Sequence, residues 1–475
     1  MADFFQRTKG LLRDEFDAFE SSLRDDVPVS IRFNPRKHAQ PCAMAYSDRR
    51  DKLVPETICA SDLEKTPWCE TGYYLPRRPS FTFDPLFHAG MYYVQEASSM
   101  FLEQAMLRIL ADPAYTDCPL VVLDLCAAPG GKSTHVASLL PGESLLVCNE
   151  VIRSRCMILA ENRIKWGCSN SFVTQNDPKA FSRTPHFFDI IVADLPCSGE
   201  GMFRKDPAAR NEWSIEHVRL CAARQRRIVF DVWEALKPGG YLIYSTCTYN
   251  TEENEANVKS LSEKLGAEIV AIPTQPEWNI AGSLSYDMPV YRFFPHRTRG
   301  EGFFLAILRK DPTTQLNAVR HTTLKTRYPK KTASPTLPDS RLKLLIVNPE
   351  KFSFIHTHVV HAIQKTHEIV YASLSERLNI IAAGLLMGEY KGKDFSPSAA
   401  LALSTDLNAN AFPMAELTYE QAIAYLRRET IVLPANMPKG TVLVTYKKTP
   451  LGFVKNIGAR ANNLYPKEWR IIKNL

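Results

Sequence analysis

Apolar runs of strand length alternate with segments of helical pattern through the middle of this chain of 475 residues. Five such runs occupy residues 121–125, 144–149, 172–174, 188–193 and 241–245. The segments between them carry apolar residues at helical spacing. Because strands that alternate with helices are typical of βαβ units, the pattern predicts an α/β fold around a mostly parallel sheet.

The flanking regions carry weaker patterns. Residues 1–30 have the apolar spacing of an amphipathic helix, and residues 30–37 form a short basic strand that ends in a proline turn. Residues 38–90 show no regular period, and residues 312–338, which contain threonine, proline and lysine, predict a linker. The predicted units are an N-terminal α+β domain (1–105), a central α/β domain (106–310), a linker with a small α/β domain (311–394) and a C-terminal strand-turn-strand domain (395–475).

A proline and two glycines interrupt the pattern directly after the first strand. Residues 126–132 read Cys-Ala-Ala-Pro-Gly-Gly-Lys, which predicts a tight turn between a strand and a helix. Such a turn lets the backbone approach a ligand closely. The glycine spacing matches neither a dinucleotide fingerprint nor a P-loop, so a pyrophosphate ligand is disfavoured. Taken alone, the turn could also be structural and bind nothing.

Acidic residues follow the second, third and fourth strands. Glu150 is placed to hydrogen-bond ribose hydroxyls, and Asp177 lies where a carboxylate could accept from an adenine amino group. Each has an ordinary alternative, since Glu150 suits a helix N-terminus and Asp177 precedes a proline and could cap a turn. Asp194 ends the fourth strand.

The eleven cysteines include no C-x-x-C pair, so reduced thiols are favoured over disulfides or a zinc finger. A single free cysteine is usually inert core filling. Cys197 and Cys247, however, each follow a predicted strand, so both are expected over the glycine-turn pocket. The histidines 356, 358 and 361 lack a cysteine or acid partner at suitable spacing, and no metal site is predicted.

Positive charge is concentrated in the C-terminal third. Residues 311–475 carry 22 lysines and arginines against 12 acids, a net charge of +10, whereas residues 1–310 carry 36 against 39. A polyanion such as RNA is the natural partner, although a solvated basic face is equally common. No segment reads as a membrane span or a signal peptide, so a cytoplasmic protein is expected.

Three motifs resemble those of a known family. They are Asp-Leu-Cys-Ala-Ala-Pro-Gly-Gly-Lys (124–132), Asp-Leu-Pro-Cys-Ser-Gly (194–199) and Ser-Thr-Cys-Thr (245–248), the last followed by Glu-Glu-Asn-Glu (252–255). Residues 295–304 are similar to the closing motif of the same family. In combination, these motifs resemble the NSUN (Sun-type) family of RNA cytosine-C5 methyltransferases.

The resemblance implies a Rossmann-like, seven-stranded, mostly parallel core that binds S-adenosylmethionine. Asp194 would lie between the cofactor and the target base. Pro178, which follows Asp177, departs from the family pattern, in which glycine often follows the acid. The implied cofactor-binding residues are Cys126, Ala127, Ala128, Pro129, Gly130, Gly131 and Lys132 around the methionine end, Glu150 at the ribose, Asp177 at the adenine, and Asp194.

The family resemblance also implies roles for the two cysteines. Cys247 resembles the nucleophile, and Cys197 resembles the second cysteine, which assists release of product. A thiolate that adds to cytosine C6 turns the ring into an enamine whose C5 can take up a methyl group, and a base must then remove the C5 proton. The target base must leave any stacked helix, and Phe203 or Tyr249 could line its pocket.

The C-terminal phrases Leu-Gly-Phe-Val-Lys (451–455) and Asn-Leu-Tyr-Pro (463–466) resemble a PUA-type RNA-binding barrel of bacterial 16S rRNA methyltransferases. The resemblance implies methylation of cytosine C5 in 16S rRNA, in the decoding-region helix of the 30S subunit, by a monomer that binds RNA with both terminal domains. Because the nucleophile lies in Ser-Thr-Cys, RNA is favoured over DNA. The alternatives are a tRNA methyltransferase and a ribosome-assembly protein whose methylation is incidental.

Overall fold

The computed structural model describes residues 1–37, 42–49, 52–59, 63–116, 118–314, 339–392 and 394–473. No helix in these ranges is both long and apolar enough to cross a membrane. The chain builds a central α/β unit, with smaller units before and after it.

The N-terminal unit contains helices and a small antiparallel sheet in the order β4-β5-β1-β6, beside a separate β2-β3 hairpin. Its elements are α1 (Ala2–Leu12), α2 (Phe16–Ser22), β1 (Val29–Phe33), β2 (Cys42–Arg49), β3 (Lys52–Cys59), β4 (Glu64–Lys65), β5 (Gly72–Leu75), α3 (Pro85–His88) and β6 (Tyr92–Val94).

The central unit alternates strands and helices as the apolar pattern predicts. Its elements are α4 (Leu102–Leu110), β7 (Val121–Asp124), α5 (Gly131–Leu139), β8 (Leu145–Asn149), α6 (Arg153–Trp166), β9 (Ser171–Thr174), β10 (Phe188–Asp194), α7 (Pro207–Glu212), α8 (Ile215–Trp233), β11 (Leu236–Thr246), α9 (Glu255–Leu265), β12 (Glu268–Val270), β13 (Tyr291–Phe293) and β14 (Phe303–Arg309).

Seven strands of this unit form one sheet in the order β12-β14-β11-β10-β7-β8-β9. The five strands from β11 to β9 run parallel, and β14 is antiparallel to its neighbours β11 and β12. The chain order reverses between β7 and β10. Because open α/β sheets bind ligands beyond the carboxyl ends of the strands at such a reversal, this edge is where a site is expected.

Successive residues of the buried strands point to opposite faces of the sheet. Ile190 and Val192 of β10 join one apolar cluster, and Ile191 and Ala193 join the other. Both faces are covered by helices, which explains why these strands read as continuous apolar runs without alternation. The predicted Rossmann-like α/β core with a seven-stranded sheet is confirmed.

The C-terminal part contains two further four-stranded sheets, ordered β15-β16-β18-β19 and β20-β21-β22-β23. Its elements are α10 (Asp339–Lys343), β15 (Phe352–His356), β16 (Val359–Gln364), α11 (Glu368–Ser375), β17 (Ile380–Ala383), β18 (Leu385–Lys391), β19 (Asp394–Pro397), α12 (Ala399–Leu403), β20 (Met414–Glu416), α13 (Tyr419–Leu426), β21 (Gly440–Tyr446), β22 (Thr449–Asn456) and β23 (Ala461–Asn463).

Strand β17 belongs to a different sheet from its sequence neighbours. It pairs antiparallel with β9, at the edge of the central sheet, through the partners Ile380 and Thr174. At the other end of that sheet, β13 pairs with β14. The structure therefore adds two strands to the predicted seven.

The two terminal units share one apolar core. Ile31 and Phe33 of the N-terminal sheet lie in the same cluster as Val442, Val444 and other residues of the C-terminal sheet. The first and last parts of the chain therefore meet on one side of the central unit.

Several local predictions differ from the structure. Residues 38–90 contain paired strands although their pattern is irregular, because short strands of a small sheet carry little periodic signal. Residues 237–240 read Lys-Pro-Gly-Gly, which predicts a turn, but they lie within β11, where the β10 pairing shifts register between Phe188 and Ile190. The predicted linker falls almost entirely outside the described residues, and the four domain boundaries stay predictions.

Candidate active site

Two thiols lie against each other at the carboxyl edge of the central sheet. Cys197 and Cys247 follow the adjacent parallel strands β10 and β11, which are in register at Asp194 and Ser245. Their Sγ atoms are 3.2 Å apart, and both side chains are partly exposed. The structure therefore brings together the two cysteines that the sequence analysis singled out.

The two thiols are not electrostatically equivalent. The pKa of Cys197 lies well above its usual range, first because of its hydrogen bond with Cys247 and then because of burial. Two thiols in contact resist double ionisation, since each thiolate would raise the cost of the other. Either sulfur can be the donor of the hydrogen bond between them, and the raised pKa of Cys197 favours its protonated form.

Asp194 is the last residue of β10, shortly before Cys197 in the chain, and its carboxylate accepts hydrogen bonds from two side chains. Lys132 Nζ donates to its Oδ2 at 2.8 Å, and Ser245 Oγ donates to its Oδ1 at 2.8 Å. Burial acts to lower the pKa of Lys132, but the Asp194 carboxylate outweighs it and the pKa of Lys132 is raised. The pair fixes the carboxylate, and each oxygen keeps a lone pair for a further donor.

The glycine turn at residues 126–132 connects β7 to α5, as predicted. Gly130 has φ 115°, a conformation that favours glycine. The Ala128 carbonyl accepts from the Arg155 guanidinium at 2.8 Å, which fixes the turn from the α6 side. Because burial raises the pKa of the Cys126 thiol, this cysteine stays protonated and is not a nucleophile candidate.

The acids predicted to contact ribose and adenine lie at the ends of β8 and β9. Glu150 is buried and accepts from the Ile152 backbone N–H at 2.9 Å, with Arg155 3.5 Å away. Asp177 is exposed and accepts from the Lys179 backbone N–H at 3.0 Å. Glu150 therefore lies at a helix start and Asp177 caps a turn, which are the local roles that the sequence left open. In each carboxylate, only one of the two oxygens accepts from the neighbouring backbone N–H.

A further buried acid ends β7 in the same crevice. Asp124 is fully buried, and its Oδ2 accepts from Ser133 Oγ at 2.6 Å. Its Oδ1 has no hydrogen-bond partner among the described residues. Burial, reinforced by the nearby charge of Asp194, raises the pKa of Asp124 to about 7. The sequence analysis gave this residue no role of its own.

A carboxylate from the Cys197 loop holds the Cys247 loop. Glu200 Oε2 accepts from Thr248 Oγ1 at 2.8 Å, from the Tyr249 backbone N–H at 2.9 Å and from the Asn250 backbone N–H at 2.8 Å. Its Oε1 accepts from the Trp213 indole at 2.9 Å. Glu200 is buried, so four donors depend on this one side chain.

A second carboxylate makes the reciprocal connection. Glu253, which follows the Cys247 loop, accepts from the Ser198 backbone N–H at 3.0 Å, from Gln225 Nε2 at 2.7 Å and from Asn250 Nδ2 at 2.7 Å. Between the two loops, the hydroxyls of Ser198 and Thr248 are 2.9 Å apart. We call the set Ser198, Glu200, Thr248, Asn250 and Glu253 the cysteine brace.

The cysteine brace sets the distance between the two thiols, because each loop carries a carboxylate that binds the other loop. Sequence reasoning quoted Glu253 within a motif but assigned it no function, and it did not single out Glu200. Neither residue carries a periodic or charge signal, since their roles arise only where strands β10 and β11 bring the loops together.

Two glycines let a third segment approach these loops. A Cβ built on Gly201 would lie 2.6 Å from the Gly302 carbonyl oxygen and 2.8 Å from the Cys247 carbonyl oxygen. A Cβ on Gly302 would lie 2.5 Å from the Tyr249 ring. The predicted closing motif therefore packs directly behind the cysteines, at a distance that only glycine permits.

The aromatic residues proposed for the base pocket pack against the N-terminal helices. Phe203 and Tyr249 are buried in a cluster with Phe4 and Phe19 of the N-terminal helices, and Tyr249 stacks on Phe294. Tyr249 also lines a cleft beside Trp213, whereas Phe203 is fully buried, and the prediction that one of them lines the pocket of the target base stays a prediction. Their rings attach α1 and α2 to the segments that carry the cysteines.

One group of side chains in the described ranges is close enough to share a metal ion, namely Cys69, Glu103 and His135. These three hydrogen-bond to one another instead, with His135 Nε2 2.9 Å and Cys69 Sγ 3.1 Å from Glu103 Oε2. These contacts give hydrogen-bond partners to the Cys69 thiol, the Glu103 carboxylate and the Nε2 atom of His135.

Three family models match the chain. They describe 16S rRNA methyltransferase RsmB/F (residues 110–309), the N-terminal domain of 16S rRNA methyltransferase RsmF (1–97) and the methyltransferase RsmF PUA domain (412–471). The chain is 32% identical over 494 residues to ribosomal RNA small subunit methyltransferase F of Escherichia coli O81 (strain ED1a), covering 95% of this chain and 96% of that protein. The protein of the same name from Shigella boydii serotype 18 is 31% identical over 495 residues, with the same coverage.

Solved structures give the same fold. A methyltransferase homolog protein from Pyrococcus horikoshii has a TM-score of 0.51 at 24% identity, covering 64% of this chain and 93% of that one. NSun6 from Pyrococcus horikoshii with SFG has a TM-score of 0.50 at 22% identity, covering 64% and 97%. At these identities the likeness concerns the fold alone.

Proposed function

Because the chain belongs to the ribosomal RNA small subunit methyltransferase F family, and is thus a methyltransferase, we propose that it methylates C5 of a cytosine in 16S rRNA. The observation that carries the proposal is the contact between Cys197 and Cys247 at 3.2 Å, beside a fixed carboxylate. Two thiols at the same edge of the sheet suit a reaction in which one sulfur adds to the base and the other sulfur takes up a proton. We further propose that the substrate is rRNA within the 30S subunit and that the protein acts as a monomer.

The crevice around the glycine turn fits S-adenosylmethionine. Glu150 is buried at a strand end, and the buried Oδ1 atom of Asp124 has no partner among the residues that the structure describes, so the crevice retains hydrogen-bonding capacity for a ligand with hydroxyl and amino groups. Residues 126–132 would hold the methionine end, Glu150 the ribose and Asp177 the adenine. When bound, S-adenosylmethionine supplies an electrophilic methyl group.

Cys247 is proposed as the nucleophile. Cytosine C5 is a weak nucleophile, and a covalent bond from a sulfur to C6 converts the ring to an enamine whose C5 is electron-rich. The two Sγ atoms are within hydrogen-bond distance, and a Cys197 thiol that donates to Cys247 would favour negative charge on the attacking sulfur.

Cys197 and Asp194 are proposed to manage protons and charge. Once the Cys197 thiol has lost its proton to solvent, its raised pKa makes the thiolate a base suited to taking the C5 proton. The electrons of the C5–H bond then re-form the C5–C6 double bond as the bond between Cys247 and C6 breaks and Cys247 leaves as a thiolate. Asp194, fixed by Lys132 and Ser245, would accept from the cytosine amino group, or from N3 once the ring is protonated there, and so stabilise charge that develops on the ring.

The proposal is tested by trapping the adduct. Cys197→Ala protein is mixed with 30S subunits and S-adenosylmethionine, and an RNA–protein adduct that survives denaturing electrophoresis is sought. We expect an adduct with this variant and none with the Cys197→Ala/Cys247→Ala double variant. Mapping the adduct then identifies the nucleotide.

Other outcomes contradict particular parts of the proposal. An adduct that forms on tRNA but not on 30S subunits leaves the mechanism intact and shows that the substrate is wrong. If neither RNA is trapped while the variants bind S-adenosylmethionine normally, the assignment of both cysteines fails. A Cys247→Ala strain that retains the wild-type phenotype would favour a ribosome-assembly role with incidental methylation.

A further inference from the structure

The basic strand of the N-terminal sheet turns one of its cations into the protein interior. Arg32 of β1 is fully buried, and its guanidinium carbon lies 4.5 Å from the centre of the Trp166 ring. Burial lowers the pKa of Arg32 to about 10, so the side chain stays charged at neutral pH. Because a buried charge is costly to desolvate, the contacts it makes decide what it contributes.

The guanidinium of Arg32 donates toward the glycine turn between β7 and α5. Its Nη2 donates to Thr134 Oγ1 at 2.7 Å and to the Gly131 carbonyl at 3.3 Å. Its Nε donates to Gln95 Oε1 at 2.9 Å. All three partners are neutral, so the guanidinium directs hydrogen bonds here and forms no ion pair with them.

Thr134 extends this contact to the turn itself. Its hydroxyl oxygen accepts from Arg32, and its hydroxyl hydrogen faces the carbonyls of Gly130, at 2.8 Å, and Gly131, at 3.0 Å. Gly130 is the residue with φ 115° directly before α5. Because an arginine can only donate, it fixes the direction in which the threonine hydroxyl donates.

The strand next to β1 packs against the same turn. Tyr93 of β6 pairs with Arg32 in the N-terminal sheet. A Cβ built on Gly131 would lie 3.2 Å from the Tyr93 ring. The N-terminal sheet therefore reaches the turn through a chain of hydrogen bonds and through a packed ring.

The residue after these glycines carries the cation of the candidate active site. Lys132 lies in the first turn of α5, and its Nζ donates to Asp194 Oδ2 at 2.8 Å. A shift in the start of this helix would move the Lys132 ammonium together with the backbone of the turn.

We propose that Arg32 is a positioning residue for the cofactor, which sets the glycine turn and the start of α5 through Thr134. The inference rests on the proposed binding of S-adenosylmethionine at residues 126–132. An apolar side chain would fill the same space without the cost of desolvating a charge, so the charge is retained for its directed hydrogen bonds. The N-terminal unit is then a structural part of the cofactor site.

The test changes one link of the chain from Arg32 to Gly130 and measures the affinity for S-adenosylhomocysteine by titration calorimetry. Thr134→Val removes the hydroxyl, so Arg32 loses an acceptor and Gly130 loses a donor. We expect the dissociation constant to rise on the order of tenfold, as for loss of a supporting contact behind a ligand-binding group. Thr134→Ser keeps the hydroxyl and should bind as the wild type does.

Ser138→Ala is the matched control, because it removes a hydroxyl one turn further along the same helix. Ser138 Oγ accepts from the Trp166 indole at 3.1 Å and donates to the Thr134 carbonyl at 3.0 Å. We expect Ser138→Ala and Thr134→Val both to lower the thermal midpoint, and only Thr134→Val to weaken binding. Lower thermal midpoints with unchanged affinity in both variants would show a purely structural contact and overturn the inference.

A double-mutant cycle tests whether Arg32 acts through Thr134. Arg32→Lys keeps the charge but loses the planar fork, so it should weaken binding in the wild-type background and add little to Thr134→Val. Arg36 donates to the Ala137 carbonyl at 2.5 Å, further along α5, and Arg36→Lys should leave the affinity unchanged. Additive effects of Arg32→Lys and Thr134→Val on the binding free energy would contradict action through Thr134. If Arg32→Lys does not fold, the comparison of Thr134→Val with Ser138→Ala decides alone.

Failure of the proposed function would give a different result. Wild-type protein that binds S-adenosylhomocysteine but methylates no cytosine in 16S rRNA overturns the proposed function, while the affinities of the variants still decide the role of Arg32. Active wild-type protein, together with a Thr134→Val variant of unchanged affinity, overturns the role of Arg32 alone. Wild-type protein that binds no S-adenosylhomocysteine overturns both the proposed cofactor site and this inference.

Discussion

Replacing Glu200 with glutamine tests whether the cysteine brace depends on the acceptor capacity of this carboxylate. The carboxylate accepts four hydrogen bonds, three at Oε2 from residues 248–250 and one at Oε1 from Trp213 at 2.9 Å. A glutamine that keeps its oxygen toward the Cys247 loop must turn its NH₂ group toward the indole N–H. Two buried donors then face each other, and neither finds an acceptor.

The expected cost follows from those unpaired groups. A buried polar group without a partner costs about 1 to 3 kcal/mol, so the Glu200→Gln variant should unfold more easily by at least that amount. Trp213→Phe alone leaves a carboxylate oxygen unpaired and should also destabilise the protein. In the Glu200→Gln/Trp213→Phe double variant the opposing indole donor is gone. We therefore expect the double variant to be more stable than the sum of the single effects predicts by about 1 to 3 kcal/mol.

The assay is equilibrium unfolding in urea, followed by circular dichroism, for the four members of the cycle. The exposed neighbour Glu212 supplies a control, since Glu212→Gln removes the same charge without touching the brace. Alkylation of Cys247 by iodoacetamide, measured in parallel, should change in the Glu200→Gln variant and not in the control. Single effects that add to within about 0.5 kcal/mol would refute the donor conflict as the cause.

Three further predictions follow from other buried contacts. Burial raises the pKa of Asp124 from 3.8 to about 7, so its contribution to stability is fully present below the unfolded pKa and is lost as pH rises through about 7. Relative to Asp124→Asn, the wild type should lose about 3 kcal/mol of unfolding free energy between pH 4 and pH 7, and parallel pH profiles would contradict this. Glu255→Gln breaks a buried ion pair with Arg292 and should destabilise the protein by about 3 to 5 kcal/mol in urea unfolding. The control is Glu263→Gln, which removes the partner of Lys259 on the exposed face of the same helix and should have little effect. Gly302→Ala places a Cβ 2.5 Å from the Tyr249 ring, so it should lower the free energy of unfolding by about 1 to 3 kcal/mol and reduce methyl transfer. In the control, Gly282→Ala, the added Cβ has no atom of the described residues within 4 Å, so stability and methyl transfer should stay unchanged.

The sequence predicts the central unit well because its strands are buried on both faces. Such strands read as continuous apolar runs, and their carboxyl ends share one edge, so residues 126–132, Asp194, Cys197 and Cys247 could be expected near one another before any coordinates. The structure shows this proximity for the two cysteines, and for Asp194 with Lys132, at hydrogen-bond distances. Their chemical roles stay predictions.

The cysteine brace was not predictable in the same way. Glu200 and Glu253 act through backbone and side-chain groups of a loop far away in the chain, and no local pattern marks such partners. The burial of Phe203 and Tyr249 was not predictable for a related reason, since the N-terminal helices that pack against them are remote in sequence. Periodicity reports which residues are apolar, but it does not report which surface will cover them.

The pairing of β17 with β9 has a consequence for how the chain folds during its own synthesis. Thr174 of β9 pairs with Ile380 of β17, so the edge of the sheet at β9 stays unpaired until the residues up to Ile380 have been synthesised. Long-range pairings of this kind form late and leave intermediates prone to association. A fragment cut at residue 310 would carry that open edge permanently, and its solubility would then depend on what other chains it meets.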